Sequence, residues 1–185
     1  MVGAKLNTEK YLEVLQLLLD EDIGANSNPR VGKVKLMKLL YFADFDHYFL
    51  HGASITGDTY VKLEYGPVPK HAEDMLALLY EKELLEIGEE QVYDYTRNTY
   101  RLRRRLTEIK HLGPDEVATL LSVVAKWKNH TREEIVMASH GDPPWIMADY
   151  GGEIPYELVF YREDVTGSKD EEPEPHPIRQ RQQAP

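Results

Sequence analysis

Apolar residues recur at helical spacing through the first third of the chain. The first predicted helix begins at Asn7 or Thr8, either of which can cap it, and ends near residue 20. Its apolar face is formed by Tyr11, Leu12, Leu15, Leu18 and Leu19. A polar turn over residues 21–29 follows and separates this helix from a second one, predicted from about residue 30 to residue 50.

The second predicted helix has two apolar faces. At about 100° per residue, one stripe contains Val34, Met37, Tyr41, Phe45 and Tyr48. The other stripe contains Leu36, Leu39, Ala43 and Leu50. A helix with two apolar faces is usually packed on both sides, so we expect this helix to lie at the centre of the fold.

Beyond Gly52, which is typical of a helix C-cap, the pattern changes to shorter segments. Strands are predicted at 59–65, 84–87, 91–95 and 100–106, with a turn at 96–99 joining the last two. Helices are predicted at about 67–82 and 113–128, from Thr131, which has capping-box spacing with Glu134, and from Pro143. The predicted fold class is α+β and mainly α-helical, with a helical bundle around a central helix and a small antiparallel β-sheet.

Composition sets the expected organisation. The chain has 185 residues, 42% of them hydrophobic and 29% charged, as in an ordinary globular protein. We therefore expect a single domain over residues 1–162. Residues 163–185 are rich in proline and charge and offer nothing apolar to bury, so they predict a disordered tail.

Several classes of protein are disfavoured by what the sequence lacks. There are no cysteines, so disulfides, thiolate metal sites and cysteine nucleophiles are excluded, and a cytoplasmic location is expected. We expect no signal peptide and no membrane span, because no apolar run approaches ~20 residues. The net charge of −10 argues against a protein whose whole surface holds nucleic acid.

The histidines of the second helix are the only metal candidates that we single out. Asp44, His47 and His51 fall on one helical face, and carboxylate and imidazole ligands at this spacing could hold zinc. Tyr-Phe-Leu separates the histidines, so the HExxH pattern is absent. We favour the alternative, a solvated polar stripe, and expect no metal or other cofactor.

A basic stretch follows the predicted turn at 96–99. Arg101, Arg103 and Arg105 alternate, so on one strand they would point to the same side and could contact phosphates. The alternative is cross-strand neutralisation by the acidic residues Glu86, Glu89, Glu90 and Asp94. Nucleic-acid contact is therefore left open.

Ser139, His140 and Asp142 suggest a hydrolase, but the members of a catalytic triad are brought together by folding and not by adjacency. The chain has no G-x-S-x-G elbow. We interpret His140 as a helix C-terminal cap and Trp145 as a packing anchor. No catalytic residue is predicted, and an uncharacterised hydrolase or metal-dependent enzyme is only the third hypothesis.

Three stretches of the chain form a recognisable series. The first is KLMKLLYFADF at residues 35–45. The second is the segment 52–69, which contains ITGDTYVKLEYGPVP. The third is ASHGDPPW at residues 138–145, followed by Gly151 and Pro155-Tyr156. In this order, they resemble the Panacea domain of SocA-like antitoxins, which also occurs in phage-associated GepA-type proteins.

The resemblance implies a cytoplasmic bacterial or prophage protein without an established catalytic site. Family members often neutralise a toxin by direct binding, and an adjacent gene often encodes that toxin. One member instead delivers its toxin to a protease, so a protease or its adaptor is a second implied partner. The runner-up function is a DNA-binding regulator from a mobile element that uses the Arg101–Arg105 hairpin.

The corner Tyr65-Gly66-Pro67-Val68 is our first candidate for partner binding. Gly66 allows a sharp turn and Pro67 stiffens the exit, so the corner would hold Tyr65 and Val68 rigidly. Rigid aromatic residues make good interface anchors. The alternative is a corner that only joins a strand to a helix. His140 and Trp145, from the third stretch, are the other candidates.

Overall fold

The computed structural model describes residues 6–21, 30–92 and 94–162. Its helices are α1 Thr8–Glu21, α2 Lys33–His51, α3 Ala72–Glu81, α4 Pro114–Trp127, α5 Arg132–His140 and α6 Pro143–Met147, with a 3₁₀ helix at Tyr156–Tyr161. Its strands are β1 Val31–Gly32, β2 Tyr60–Leu63, β3 Gly66–Pro69, β4 Leu85–Val92 and β5 Tyr95–Leu102. The predicted tail at 163–185 and most of the predicted turn at 21–29 lie outside the described residues.

Helix α2 is the centre of the fold. Every residue from Leu36 to Phe45 is buried. The helix contacts α1, α4, α5, strand β3 and the 3₁₀ helix. These contacts confirm the expectation, drawn from its two apolar stripes, that the helix lies at the centre of the fold. The predicted class, mainly α-helical with small antiparallel sheets, is also confirmed.

The predicted caps at the starts of α1 and α5 and at the end of α2 are confirmed. Asn7 Oδ1 accepts a hydrogen bond from the backbone N–H of Lys10 at 3.1 Å, as an N-cap does. Thr131 and Glu134 form the predicted capping box, with bonds of 2.7 and 3.2 Å. Gly52 ends α2 with a φ of 72°, in the left-handed region that glycine adopts readily. Within the described part of the chain, no helix is long and apolar enough to cross a membrane.

The predicted turn at 96–99 is wrong. Residues 85–92 and 95–102 form a continuous antiparallel ladder in which Val92 pairs with Tyr95, so the chain reverses between these two residues. The predicted strands at 84–87 and 91–95 are therefore mostly one strand, β4. The turn-like composition misled us because cross-strand ion pairs stabilise this polar sequence as a strand, as between Arg97 and Glu90 at 2.9 Å.

The predicted start of the third helix at Pro67 is also wrong. Residues 66–69 form strand β3, which pairs with β2 in a hairpin, and α3 begins at Ala72. Among the described residues, β3 pairs with β2 alone and is therefore an edge strand. Proline is tolerated in an edge strand because its missing N–H can face away from the paired strand. The corner is thus a hairpin turn at Glu64-Tyr65 and not a junction between a strand and a helix.

The other edge of β2 is bonded to the segment after α6. The N–H of Lys62 donates to Gly152 O at 3.0 Å, and the N–H of Gly151 donates to Lys62 O at 2.9 Å. Ile154 N–H donates to Tyr60 O at 2.8 Å. The hairpin is therefore bonded to the chain that follows the third motif, which brings the second and third motifs together.

A buried carboxylate on α2 binds the loop that precedes the hairpin. Asp44 is fully buried, and its Oδ1 accepts the backbone N–H groups of Ile55 and Thr56, each at 2.8 Å. Its Oδ2 accepts the hydroxyl groups of Thr56 and Tyr60. Burial raises the pKa of Asp44, and the hydrogen bonds from Thr56, Tyr60 and Ile55 oppose that rise. This set of bonds gives the ITGD motif a structural role.

A second buried carboxylate, Asp58, joins that loop to two helices. Its Oδ2 accepts the hydroxyl of Tyr11 from α1 at 2.8 Å and the backbone N–H of His71, just before α3, at 3.1 Å. The Nδ1 of His71 lies 2.7 Å from its Oδ1. Asp44 and Asp58 together bind the loop to α1, α2 and the start of α3.

Replacing Asp44 by alanine should destabilise the protein strongly. The change would leave the buried N–H groups of Ile55 and Thr56 without acceptors, so we expect Asp44→Ala to lower the free energy of unfolding by about 3 kcal/mol or more. Urea denaturation followed by circular dichroism measures this. The control is Glu89→Ala on the exposed face of β4, with an expected change within about 0.5 kcal/mol. Similar losses for the two variants would contradict this account.

Candidate partner-binding site

The hairpin corner is pressed against α2 and α5 at Gly66. The φ of Gly66 is +94°, and a Cβ added there would lie 2.7 Å from Ser139 Oγ and 2.8 Å from Lys38 Cε. Neither the backbone conformation nor the space suits any other residue. Gly66 therefore brings residues of all three motifs into contact.

Lys38 lies beneath the corner and is not among the site residues that were predicted from the sequence. Its side chain is 1% exposed, and Nζ donates to the backbone oxygen of Pro67 at 2.7 Å. Burial lowers the pKa of Lys38 to about 7, and the charge of Arg132 contributes further. At about 100° per residue, Lys38 lies between Phe45 and Phe42 on the helical wheel, and a lysine flanked by aromatic positions was the signal available.

Trp145 lies at the other side of the site. The rings of His140 and Trp145 stack with centroids 4.3 Å apart and an interplanar angle of 14°. Lys62 Nζ lies over the Trp145 ring, 4.4 Å from its centroid, in a cation–π contact. Burial lowers the pKa of His140, and the nearby charges of Lys38 and Lys62 lower it further. Trp145 therefore joins His140 of α5 to Lys62 of the hairpin.

Ser139, His140 and Asp142 do not have the bonding of a catalytic triad. Ser139 Oγ donates to the backbone oxygen of Val136 at 2.8 Å. Asp142 accepts from the Tyr41 hydroxyl at 2.7 Å and from the Arg162 guanidinium at 2.6 and 2.7 Å. His140 is the last residue of α5, and Gly141 occupies the C-cap position that we had assigned to His140. Asp142 thus has a structural role, because it joins Tyr41 of α2 to Arg162, which follows the 3₁₀ helix.

Of the four residues predicted to bind a partner at the corner, Tyr65 is the one that is exposed. Tyr65, in the turn, is 59% exposed, whereas Gly66 and Pro67 are buried and Val68 is half-buried. Exposed apolar side chains also lie on the segments bonded to the hairpin or packed against it. We call this set the corner surface, and its members are Leu63, Tyr65, Met137, Ile146, Met147 and Tyr150.

The segments that carry the corner surface are held together by short contacts. Lys62 Nζ donates to the backbone oxygens of Ile146 and Ala148 at 3.2 and 2.9 Å. Helix α5, which carries Met137, contacts both β3 and α6. Segments joined by these contacts therefore present apolar side chains near the point where the three motifs meet.

The structure does not assemble the zinc candidates. The predicted solvated stripe is also wrong for two of them, because Asp44 and His47 are buried. The Asp44 carboxylate is occupied by the loop that it binds. His47 Nδ1 lies 2.7 Å from the Ala53 backbone oxygen, and the rings of His47 and His51 stack at 4.4 Å. Among residues 6–21, 30–92 and 94–162, no three His, Asp or Glu side chains are grouped so that they could hold a metal ion.

The three candidate arginines do not share one strand, because β5 ends at Leu102. Arg101 pairs with Glu86, which also pairs with Arg30. Arg103 Nε donates to Leu85 O at 3.3 Å, and Arg105 lies 3.6 Å from Asp20. Acidic partners thus lie beside Arg101 and Arg105, and nucleic-acid contact by these residues stays a prediction.

The family model described as antitoxin SocA-like, Panacea domain, matches residues 36–146, more than half of the chain. The chain belongs to this family. The match confirms the resemblance drawn from the three motifs. The matched range of the Panacea domain includes Lys38, the hairpin, Ser139, His140 and Trp145, and it therefore covers most of the site. No curated protein and no solved structure matches the chain significantly.

Two glycines of this Panacea domain have a positive φ, but only one of them is crowded by neighbouring atoms, so substitutions at the two positions distinguish steric clash from backbone strain. Gly66→Ala should cost about 3 kcal/mol or more of unfolding free energy, because strain adds to the clash with Ser139 and Lys38. Gly52→Ala should cost about 1 kcal/mol, because its φ is also positive but its Cβ would meet nothing within 4 Å. Chemical denaturation of both variants measures the difference. Equal losses would show that the corner does not press on α2 and α5.

Lys38 should make the stability of this Panacea protein depend on pH. Above its folded pKa of about 7, native Lys38 is neutral, whereas the unfolded chain keeps the proton up to about 10.5. The unfolded state then binds more protons, so the unfolding free energy should rise with pH between these values. Below pH 7 both states are charged and the cost of burial is fully present.

The variant Lys38→Met removes this dependence. Relative to the variant, the wild type should gain about 3 kcal/mol of unfolding free energy between pH 6.5 and pH 9.5. Urea denaturation of both proteins at a series of pH values gives the difference between their unfolding free energies. The titration of all other groups is common to the two proteins and cancels in this difference. A difference that does not change with pH would mean that Lys38 stays charged in the folded protein.

Proposed function

We propose that this protein is an antitoxin-type protein that neutralises a partner toxin by direct protein–protein binding. Its membership of a SocA-like antitoxin family supports an antitoxin-type role. We further propose that it acts in the cytoplasm, that an adjacent gene encodes the toxin, and that the pair is associated with a prophage. The bonding of Ser139, His140 and Asp142 supports action by binding and without catalysis.

The corner surface is the observation that carries the proposal. Six apolar side chains are exposed on segments that the hairpin, α5 and α6 hold together. Exposed apolar residues grouped in this way are typical of protein–protein interfaces. Tyr65 can act as an anchor because the next two residues, Gly66 and Pro67, contact Lys38 and hold the turn in place. A side chain that is already held in place loses little entropy when a partner binds.

Co-expression with the product of the adjacent gene tests the function. We expect that product to arrest growth when expressed alone and to be harmless when this protein is present. A partner delivered to a protease would disappear from the cell, whereas a partner neutralised by binding would accumulate in a complex. A harmless product, or one that stays toxic in the presence of this protein, would contradict the proposal.

Tyr65→Ser tests the surface. The change removes a large exposed apolar side chain from the corner surface, so we expect the affinity for the toxin to fall about tenfold or more. Isothermal titration calorimetry measures it. The matched control is Tyr80→Ser, which changes a tyrosine of similar exposure, 51%, at the end of α3. Unchanged affinity for Tyr65→Ser, or an equal loss for Tyr80→Ser, would exclude the corner surface as the binding face.

A further inference from the structure

Two lysine amines without a carboxylate partner lie at the corner, that of Lys62 and that of the buried Lys38. Lys62 Nζ bonds to the backbone oxygens of Ile146 and Ala148, and Lys38 Nζ bonds to that of Pro67. Across the described residues, neither amine forms an ion pair with a carboxylate. Backbone oxygens accept hydrogen bonds but carry no net charge, so the charge of Lys62 is not compensated within the site.

Three carboxylates on the surrounding segments are paired with other cations. Glu153 pairs with Lys70 at 2.6 Å, Asp142 with Arg162, and Glu133 with Arg132 at 3.2 Å. Glu64 and Asp149 are exposed nearby, and in the described part of the chain no ion pair joins either of them to Lys62. Among the described residues, Lys62 therefore has no ion-pair partner.

Lys62 is placed to receive a further ligand. An ammonium has three N–H donors, and two of those of Lys62 are used by the backbone oxygens. The Trp145 ring, 4.4 Å from Nζ, holds the amine from one side. Ile146, whose backbone Lys62 binds, exposes 55% of its surface, so the amine lies next to a residue of the corner surface.

A partner that covers the corner surface would take Lys62 out of water. An ammonium buried without an opposite charge is costly, so a partner with only apolar groups at this point would bind weakly. A carboxylate removes this cost and adds a charge-assisted hydrogen bond to the third N–H. The apolar surroundings favour a protein over nucleic acid, because a phosphate backbone offers nothing to pack against them.

We infer that Lys62 binds an Asp or Glu side chain of the protein partner, and that apolar residues of the partner flank this acid and pack on the corner surface. The inference rests on the proposed function only in taking the partner to be the toxin. The preference of Lys62 for an acidic residue can be measured without knowing that toxin.

Selection of random peptides on the full-length protein tests the inference directly. Peptides retained by the wild type should be enriched in Asp or Glu next to large apolar residues. The best of them should bind Lys62→Gln, which keeps an N–H donor for the backbone oxygens, about tenfold more weakly. On Lys62→Glu the acidic enrichment should disappear. Lys82→Glu, a charge reversal at an exposed lysine after α3, should leave it unchanged.

Three results of the peptide selection would overturn the inference. They are no enriched peptides, an enrichment that does not favour acids, and an acid preference that survives Lys62→Glu. If no peptide is selected and duplex DNA binds in a Lys62-dependent way, the amine binds phosphate and the inference is wrong. If acidic peptides bind at Lys62 but the product of the adjacent gene does not bind, the inference stands and the proposed function fails. Circular dichroism of each variant confirms that it is folded.

Discussion

Helix α2 carries two ionisable side chains, Asp44 and Lys38, into the core, and both bind backbone groups of the segment between α2 and α3. Asp44 accepts the N–H groups of Ile55 and Thr56, and Lys38 donates to the oxygen of Pro67. Buried backbone groups need partners, so these bonds determine where the loop and the hairpin lie. The position of the whole corner depends on them.

This arrangement links folding to binding. The hairpin has only four residues in each strand, and an isolated hairpin of this size is marginally stable in water. Contacts with Lys38 and Ser139 on one side and with residues 151–154 on another hold it in one conformation. Tyr65 and Lys62 are therefore presented in fixed positions, which lowers the entropy lost when a partner binds.

The sequence was a good guide where local physics decides the structure. The two stripes of α2, the Asn7 cap and the capping box at Thr131 depend on residues within one or two helical turns. The predictions for segment 66–69 and for the β4–β5 reversal were wrong because pairing with the neighbouring strand decides these structures, and residue composition does not reveal that pairing. The chain around Pro67 has the composition of a helix start, and only its pairing with β2 and its bond to Lys38 make it a strand.

The candidate site was predictable in part for the same reason. The family motifs identified the three stretches that meet, including Tyr65, His140 and Trp145. Lys62 was missed because a lysine on a short strand is ordinary, and its lack of a carboxylate partner emerges only in the folded protein. Hydrogen–deuterium exchange of the protein with and without the product of the adjacent gene is the most direct test of the central claim. We predict protection of residues 62–66 and 145–151 in the complex, and protection confined to β4 and β5 would contradict it.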